Sequence, residues 1–189
     1  MDTNTLLLVI LAVVVIAVIV VVSLIGSRKR QSADLREKFG PEYENTLQQF
    51  NGDKSRAEQE LAAREKRVDK FDIHPLEPQQ RNYFENEWRT IQTQFVDAPD
   101  QAVARADSLI QQVMQAEGYP VGDFEQRAAD ISVDHPGVVT HYRAAHETAL
   151  KNDKSKANTE ELRQALVHYR ALFQDLLSGE TVQAVKEAV

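Results

Sequence analysis

The chain has 189 residues, a formal net charge of −7 and no cysteine. The lack of cysteine excludes a disulfide framework, a thiol nucleophile and a cysteine-ligated metal site. Residues 31–189 hold 19 basic and 28 acidic residues, a net charge of −9. This balance argues against nucleic acid as a partner, because phosphate binding needs a basic face.

The chain begins with an apolar run over residues 6–25, interrupted only by Ser23. Twenty residues of α-helix rise about 30 Å, the thickness of the hydrocarbon core of a bilayer. Residues 1–5 carry no basic side chain, and no small-residue cleavage pattern follows the run. A signal peptide would show a basic N-terminal region and a small-residue cleavage pattern. The run therefore predicts a retained, single transmembrane helix.

Basic residues follow the apolar run directly, namely Arg28, Lys29 and Arg30. By the positive-inside rule, residues 1–5 lie outside and everything after the helix is cytoplasmic. We expect a single-pass protein of the cell inner (plasma) membrane, with the lipid bilayer as its first partner. These three residues read as a stop-transfer and orientation signal, and specific recognition of lipid by this basic neck is an alternative.

From residue 26 onward, apolar residues recur at helical spacing and no run alternates as a strand does. We expect an all-α fold, in which the transmembrane helix precedes a multi-helix domain. A basic neck with linker helices is expected over 26–52, the cytoplasmic helical domain over 53–178 and a C-terminal tail over 179–189. Asn158 and Glu161 predict the start of the last long helix, and Gly179 its end.

One predicted helix carries many charges and only a thin apolar stripe. Ser55 and Glu58 have the form of a capping box at its start. The stripe continues as far as Phe71. We expect this helix to lie at the periphery of the domain or to project from it. A stronger stripe, over Phe84 to Phe95, predicts a core helix that ends before Pro99.

The most polar stretch, residues 123–136, carries Arg127, Asp130, Asp134 and His135. It is the first candidate for a recognition surface, and a connector with locally paired charges is the simpler interpretation. Ser132, Asp134 and His135 come nearest to a hydrolytic set, but neighbours in a turn rarely form a triad. Asp134 is better explained as the N-cap of the next helix.

The segment His141-Tyr142-Arg143-Ala144 recurs 27 residues later as 168–171. Two helices joined by a short loop would place both tyrosines in the core of an antiparallel hairpin. Chance similarity between two amphipathic helices is one explanation of the repeat. The other is a polar pocket shared by the two sets, whose candidate residues are His141, Arg143, His168 and Arg170.

The sequence lacks the motifs of the common catalytic and cofactor sites. There is no Glu-x-x-His pair, no H-E-x-x-H and no glycine-rich phosphate loop, so we expect no metal, no cofactor and no catalytic residue.

Four segments carry a resemblance to other proteins: LREKFGPEYE (35–44), FDIHPLEP (71–78), EGYPVGDFEQRAADISVDHP (117–136) and LRQALVHYRALF (162–173). They resemble an uncharacterised family of bacterial single-pass membrane proteins. The resemblance implies a bacterial inner-membrane protein with a helical cytoplasmic domain, and it implies no activity.

These features predict a non-enzymatic, membrane-anchored helical domain that binds or scaffolds an unidentified protein at the cytoplasmic face. The alternative is a small-molecule sensor or enzyme, with a polar site between the two His-Tyr-Arg helices and the 123–136 segment. The sequence leaves the oligomeric state open.

Overall fold

The computed structural model describes residue 16 and residues 29–154 and 157–179. These residues form helices, turns and loops, and no strand occurs among them, which confirms the all-α fold class. The predicted transmembrane helix lies outside the described residues except for Ile16, and so do Arg28 and residues 180–189. Among the residues described, no helix is both long and apolar enough to cross a membrane.

The chain divides into two compact units, Met1–Lys38 and Phe39–Val189. Residues 29–39 are helical (α1), with Lys29 and Arg30 exposed at its start. The second unit holds seven described helices: α2 (Pro41–Gln49), α3 (Lys54–Val68), α4 (Pro78–Gln94), α5 (Pro99–Ala116), α6 (Phe124–Asp134), α7 (Val139–Asp153) and α8 (Thr159–Ser178).

The helices begin where local chemistry favours a start. Proline is the first residue of α2, α4 and α5, where its missing N–H costs nothing. Asn158 and Glu161 form the predicted capping box of α8, and Gly179 ends that helix in the left-handed conformation. The capping box at Ser55 was wrong. Asp53 caps α3 instead, because its carboxylate accepts a hydrogen bond from the N–H of Arg56 at 3.1 Å.

The N-cap assignment of Asp134 was also wrong, since Asp134 is the last residue of α6 and Val138 precedes α7. A residue before proline is disfavoured in the helical conformation, and Pro136 therefore ends the helix at His135. The side chain of Asp134 accepts a hydrogen bond from the hydroxyl of Tyr119 at 2.8 Å instead.

Helix α5 lies at the centre of the second unit and packs against α4, α7 and α8. Helices α7 and α8 pack along each other in antiparallel directions, as contacts from His141 to His168 and from Lys151 to Glu161 show. The main buried cluster joins the faces of α4, α5, α7 and α8, and its largest members include Tyr142, Tyr169 and Ile110. Burial of these apolar side chains is the main stabilising contribution to the bundle.

Helices α2 and α3 pack beside this cluster, α3 against α6 and α2 against α7. The inner face of α3 buries Leu61 and Val68, neither of which belongs to the main cluster. Phe71 follows the end of α3 and is only partly buried. The charged helix is thus peripheral to the main core, but it is packed along its length.

Candidate functional site

An open groove lies between α4 and α8. Both helices pack on α5, and they run in opposite directions, because Trp88 stacks on Phe173 and Arg81 lies near Gly179. The two rings are 4.8 Å apart and inclined by 16°, and they bridge the helices at the floor. The groove has a volume of about 450 Å³.

The walls of the groove carry arginine. Arg81 and Arg89 project from α4 and Arg170 from α8, with Glu85 as the one acidic side chain among the lining residues. Arg89 is 70% exposed and 3.5 Å from Glu85. Within the part of the chain that the structure describes, Arg170 has no hydrogen bond or ion pair. Exposed guanidinium groups above aromatic rings bind carboxylates and other anions well.

The repeated His-Tyr-Arg segments meet only in part. The two Nδ1 atoms of His141 and His168 are 2.9 Å apart, and burial lowers the pKa of His168, with His141 adding to the effect. Tyr142 and Tyr169 are buried with ring centres 6.5 Å apart, as the pattern predicts. Arg143 and Arg170 do not meet, so the four candidate residues form no single pocket.

Three charged residues of the predicted polar surface form hydrogen bonds with other residues of the protein, namely Arg143, Arg127 and Asp130. Arg143 donates hydrogen bonds to Glu42 at 2.8 Å and to Glu125 at 3.1 Å. Arg127 donates to the hydroxyl of Tyr142 at 3.2 Å and to the carbonyl of Gly122.

Asp130 is 1% exposed and accepts hydrogen bonds from Arg67 at 2.7 Å and Gln126 at 2.8 Å. The contact between Arg67 and Asp130 joins α3 to α6.

A group of acids lies where the C-terminal ends of α5, α6 and α8 meet. His135 is 2% exposed, and its Nδ1 is 2.5 Å from a carboxylate oxygen of Asp175. Glu117 is 1% exposed, and its Oε2 has no hydrogen-bond partner among the described residues. Burial raises the pKa of Glu117 to about 8, and Arg81 opposes this rise. Glu117 is therefore mostly uncharged at neutral pH.

A second, smaller pocket of about 190 Å³ opens between α5 and α7. Asp107 lies in its wall and accepts a hydrogen bond from the hydroxyl of Tyr169 at 2.7 Å. His146 stacks on Phe124 with ring centres 3.6 Å apart, and its Nδ1 is 3.6 Å from Asp107. Among the described residues this nitrogen has no hydrogen-bond partner.

Sequence reasoning missed the groove and the acid cluster. Trp88 lies within the apolar stripe that predicted a core helix. Arg81, about two turns before it, and Arg89, directly after it, were not connected with it. The four-residue steps 81, 85 and 89 were a visible signal, because they place three charges on one helix face. Nothing in the local sequence marks Glu117, since its burial depends on α6 and α8.

In the described parts of the chain, no group of three or more histidine or acidic side chains is arranged to hold a metal ion. The arginine-lined groove and the Asp107 pocket are two places where the geometry offers binding groups. The chain matches no protein-family model, no curated protein and no solved structure, so the role of each residue is argued from its own surroundings.

Proposed function

We propose that this protein is a membrane-anchored, non-enzymatic interaction module that holds a partner protein in the groove between α4 and α8. The observation that carries the proposal is the open groove with three arginines on its walls. Arg170 has no partner there within the described residues. In a domain with 28 acidic residues, an arginine with no partner among the described residues, beside tryptophan and phenylalanine in a groove, is typical of an interface, where arginine and tryptophan are enriched.

The membrane part of the proposal is supported by the sequence. The apolar run over residues 6–25 has the length of a transmembrane helix, and Arg28, Lys29 and Arg30 follow it. Together with the resemblance to bacterial single-pass proteins, this supports a location in the inner membrane with the helical unit in the cytoplasm. Carbonate extraction tests it: the full chain should stay with the membrane pellet, and a chain without residues 1–28 should not.

The interaction itself is tested by photo-crosslinking in cells. A photoreactive amino acid replaces Gln92, which lines the groove, in the full-length protein. The matched control carries it at Gln59, an exposed position on α3. A protein crosslinked at Gln92 and absent from the Gln59 sample, identified by mass spectrometry, would support the module. Repeated recovery of the chain alone at Gln92 would overturn it.

Small-molecule binding is the second candidate function, and the pocket at Asp107 favours it. There, the buried Nδ1 of His146 has no hydrogen-bond partner among the described residues, and a ligand that supplies a partner would gain from it. A thermal-shift screen of metabolites with the full chain and with His146→Ala tests this function. A compound that stabilises only the native chain would support the pocket as a binding site.

A further inference from the structure

We infer that the occupant of the α4–α8 groove is an acidic, amphipathic helix of a partner protein, an inference that rests on the proposed function. The shape of the groove is the first reason. Its lining runs along α4 from Arg81 to Gln92, a length of about 16 Å at 1.5 Å per residue. The groove lies between two antiparallel helices that both pack on α5, and a helix of about three turns matches the length of its lining.

The spacing of the charges is the second reason. Arg81 and Arg89 are eight residues apart on one helix, so their Cα atoms are separated by about 12 Å along its axis. On a bound helix, two carboxylates seven or eight residues apart have nearly the same separation along the axis as Arg81 and Arg89. Arg170 faces them from the opposite wall and can take a third carboxylate. Between them, an apolar side chain of the partner would lie above Trp88 and Phe173.

The sign of the charge decides the chemistry of the partner. Among the groove residues three arginines outweigh Glu85, whereas residues 31–189 as a whole carry a net charge of −9. An acidic helix is attracted to the groove and repelled by the remaining surface. A basic helix would meet the reverse arrangement. Charge complementarity of this kind fixes both the docking site and the orientation of a partner.

A library of displayed helical peptides tests the inference without knowledge of the partner. Each 14-residue peptide has fixed apolar positions on one face and Glu, Gln or Lys at random on the flanking positions. Selection uses the full chain in nanodiscs of zwitterionic lipid. We expect Glu to be enriched at positions seven or eight apart. Selected peptides should bind saturably, change the fluorescence of Trp88, the only tryptophan, and bind more weakly in high salt.

Charge reversal in the groove provides the control. Arg170→Glu should weaken the binding of the selected peptides at least tenfold, and Arg89→Glu should also weaken it. Arg163→Glu changes an exposed arginine of the same helix that pairs with Glu160 and does not line the groove, so it should leave binding unchanged. Far-UV circular dichroism of each variant should show the helix content of the native chain.

Several outcomes would overturn the inference. One is a selection without enrichment of Glu, and another is binding that Arg170→Glu does not alter. A third is binding that appears only when the chain ends at Gly179, since the groove would then be occupied by residues 180–189. Stronger association of the groove arginines with anionic vesicles than with any peptide would identify lipid head groups as the ligand. If crosslinking at Gln92 still captures a protein in these cases, the proposed function stands and only the acidic helix is wrong.

Discussion

Glu42 and Arg143 lie 101 positions apart in the chain, and a hydrogen bond of 2.8 Å joins their side chains. The same carboxylate oxygen accepts a second hydrogen bond from Arg64 at 2.9 Å. Glu42 is fully buried and Arg64 is 4% exposed. One acidic side chain therefore holds α2, α3 and α7 together. Its removal would leave two guanidinium groups without their common partner.

We expect Glu42→Ala to lower the free energy of unfolding by about 3–5 kcal/mol, because breaking a buried ion pair leaves an uncompensated charge. Gln48→Ala, at an exposed position of the same helix, should stay within about 0.5 kcal/mol of the native protein. Urea unfolding of the full chain in detergent, followed by the fluorescence of Trp88, measures both. If Glu42→Ala and Gln48→Ala lowered the free energy of unfolding equally, the buried ion pair would add nothing to stability.

The raised pKa of Glu117 makes stability depend on pH. The folded protein holds this proton up to about pH 8, whereas an unfolded chain releases it near its ordinary pKa of 4.5. Stability from this group is complete below about pH 4.5 and is lost as the pH rises to about 8. At pH 7 the loss amounts to roughly 3 kcal/mol, since one pKa unit corresponds to about 1.4 kcal/mol.

Glu117→Gln should therefore stabilise the protein at pH 7–8 and have little effect near pH 4.5, because glutamine resembles the protonated acid and does not titrate. Melting temperatures from pH 4.5 to pH 9 measure this. Glu147→Gln, at a side chain that is 74% exposed, is the matched control and should leave the profile unchanged. A variant that is destabilised to the same extent at every pH would contradict the raised pKa.

The histidine pair should respond to acid in the opposite direction. The pKa of His168 is lowered by burial and by His141, so the unfolded chain binds a proton at a higher pH than the folded one. Stability from this group is present above the ordinary pKa of 6.5 and is lost as the pH falls below it.

His168→Gln should flatten the fall in stability below pH 6.5, and His74→Gln, at an exposed loop histidine, should not. Chemical denaturation at pH 7.5, 6.5 and 5.5 measures the difference. If both variants follow the native profile, the contact between His141 and His168 does not govern the acid response.

Gly118 allows the chain to turn after α5 and to pass close to the loop before α4. Its φ is +101°, and a Cβ atom there would lie 2.1 Å from the carbonyl oxygen of Asp72. Gly118→Ala should lower the free energy of unfolding by about 2 kcal/mol or more, through the left-handed backbone and the steric overlap. Gly137→Ala, where no atom lies within 4 Å, should be neutral within about 0.5 kcal/mol. Thermal melts of the two variants compare these effects directly.

Local signals predicted most of the helices. The capping box of Asn158 and Glu161 and the end of α8 at Gly179 are confirmed, because both depend on residues within one turn of the helix end. The error at Ser55 arose because Asp53, two residues earlier, can cap the same helix. The error at Asp134 arose because α6 continues to this residue and α7 begins only after Val138.

The candidate site was predicted less well, for a different reason. Asp130 and His135 belong to the polar segment that the sequence singled out, yet both are buried and paired with residues of α3 and α8. A charged side chain has the same local pattern whether it faces solvent or a partner from a distant helix. Burial could not be inferred at these positions until the neighbouring helices were known.

The sequence by itself determined the helical class, most helix ends and the inward direction of Tyr142 and Tyr169, since these depend on residues close together in the chain. Only the tertiary structure decided which arginines pair with an acidic side chain of the described residues. Arg143 and Arg170 occupy the same position in the repeated segment, but Arg143 meets the buried Glu42 and Arg170 faces the open groove. The difference follows from which helix lies opposite each of them, because Coulomb attraction depends on distance in space and not on separation along the chain.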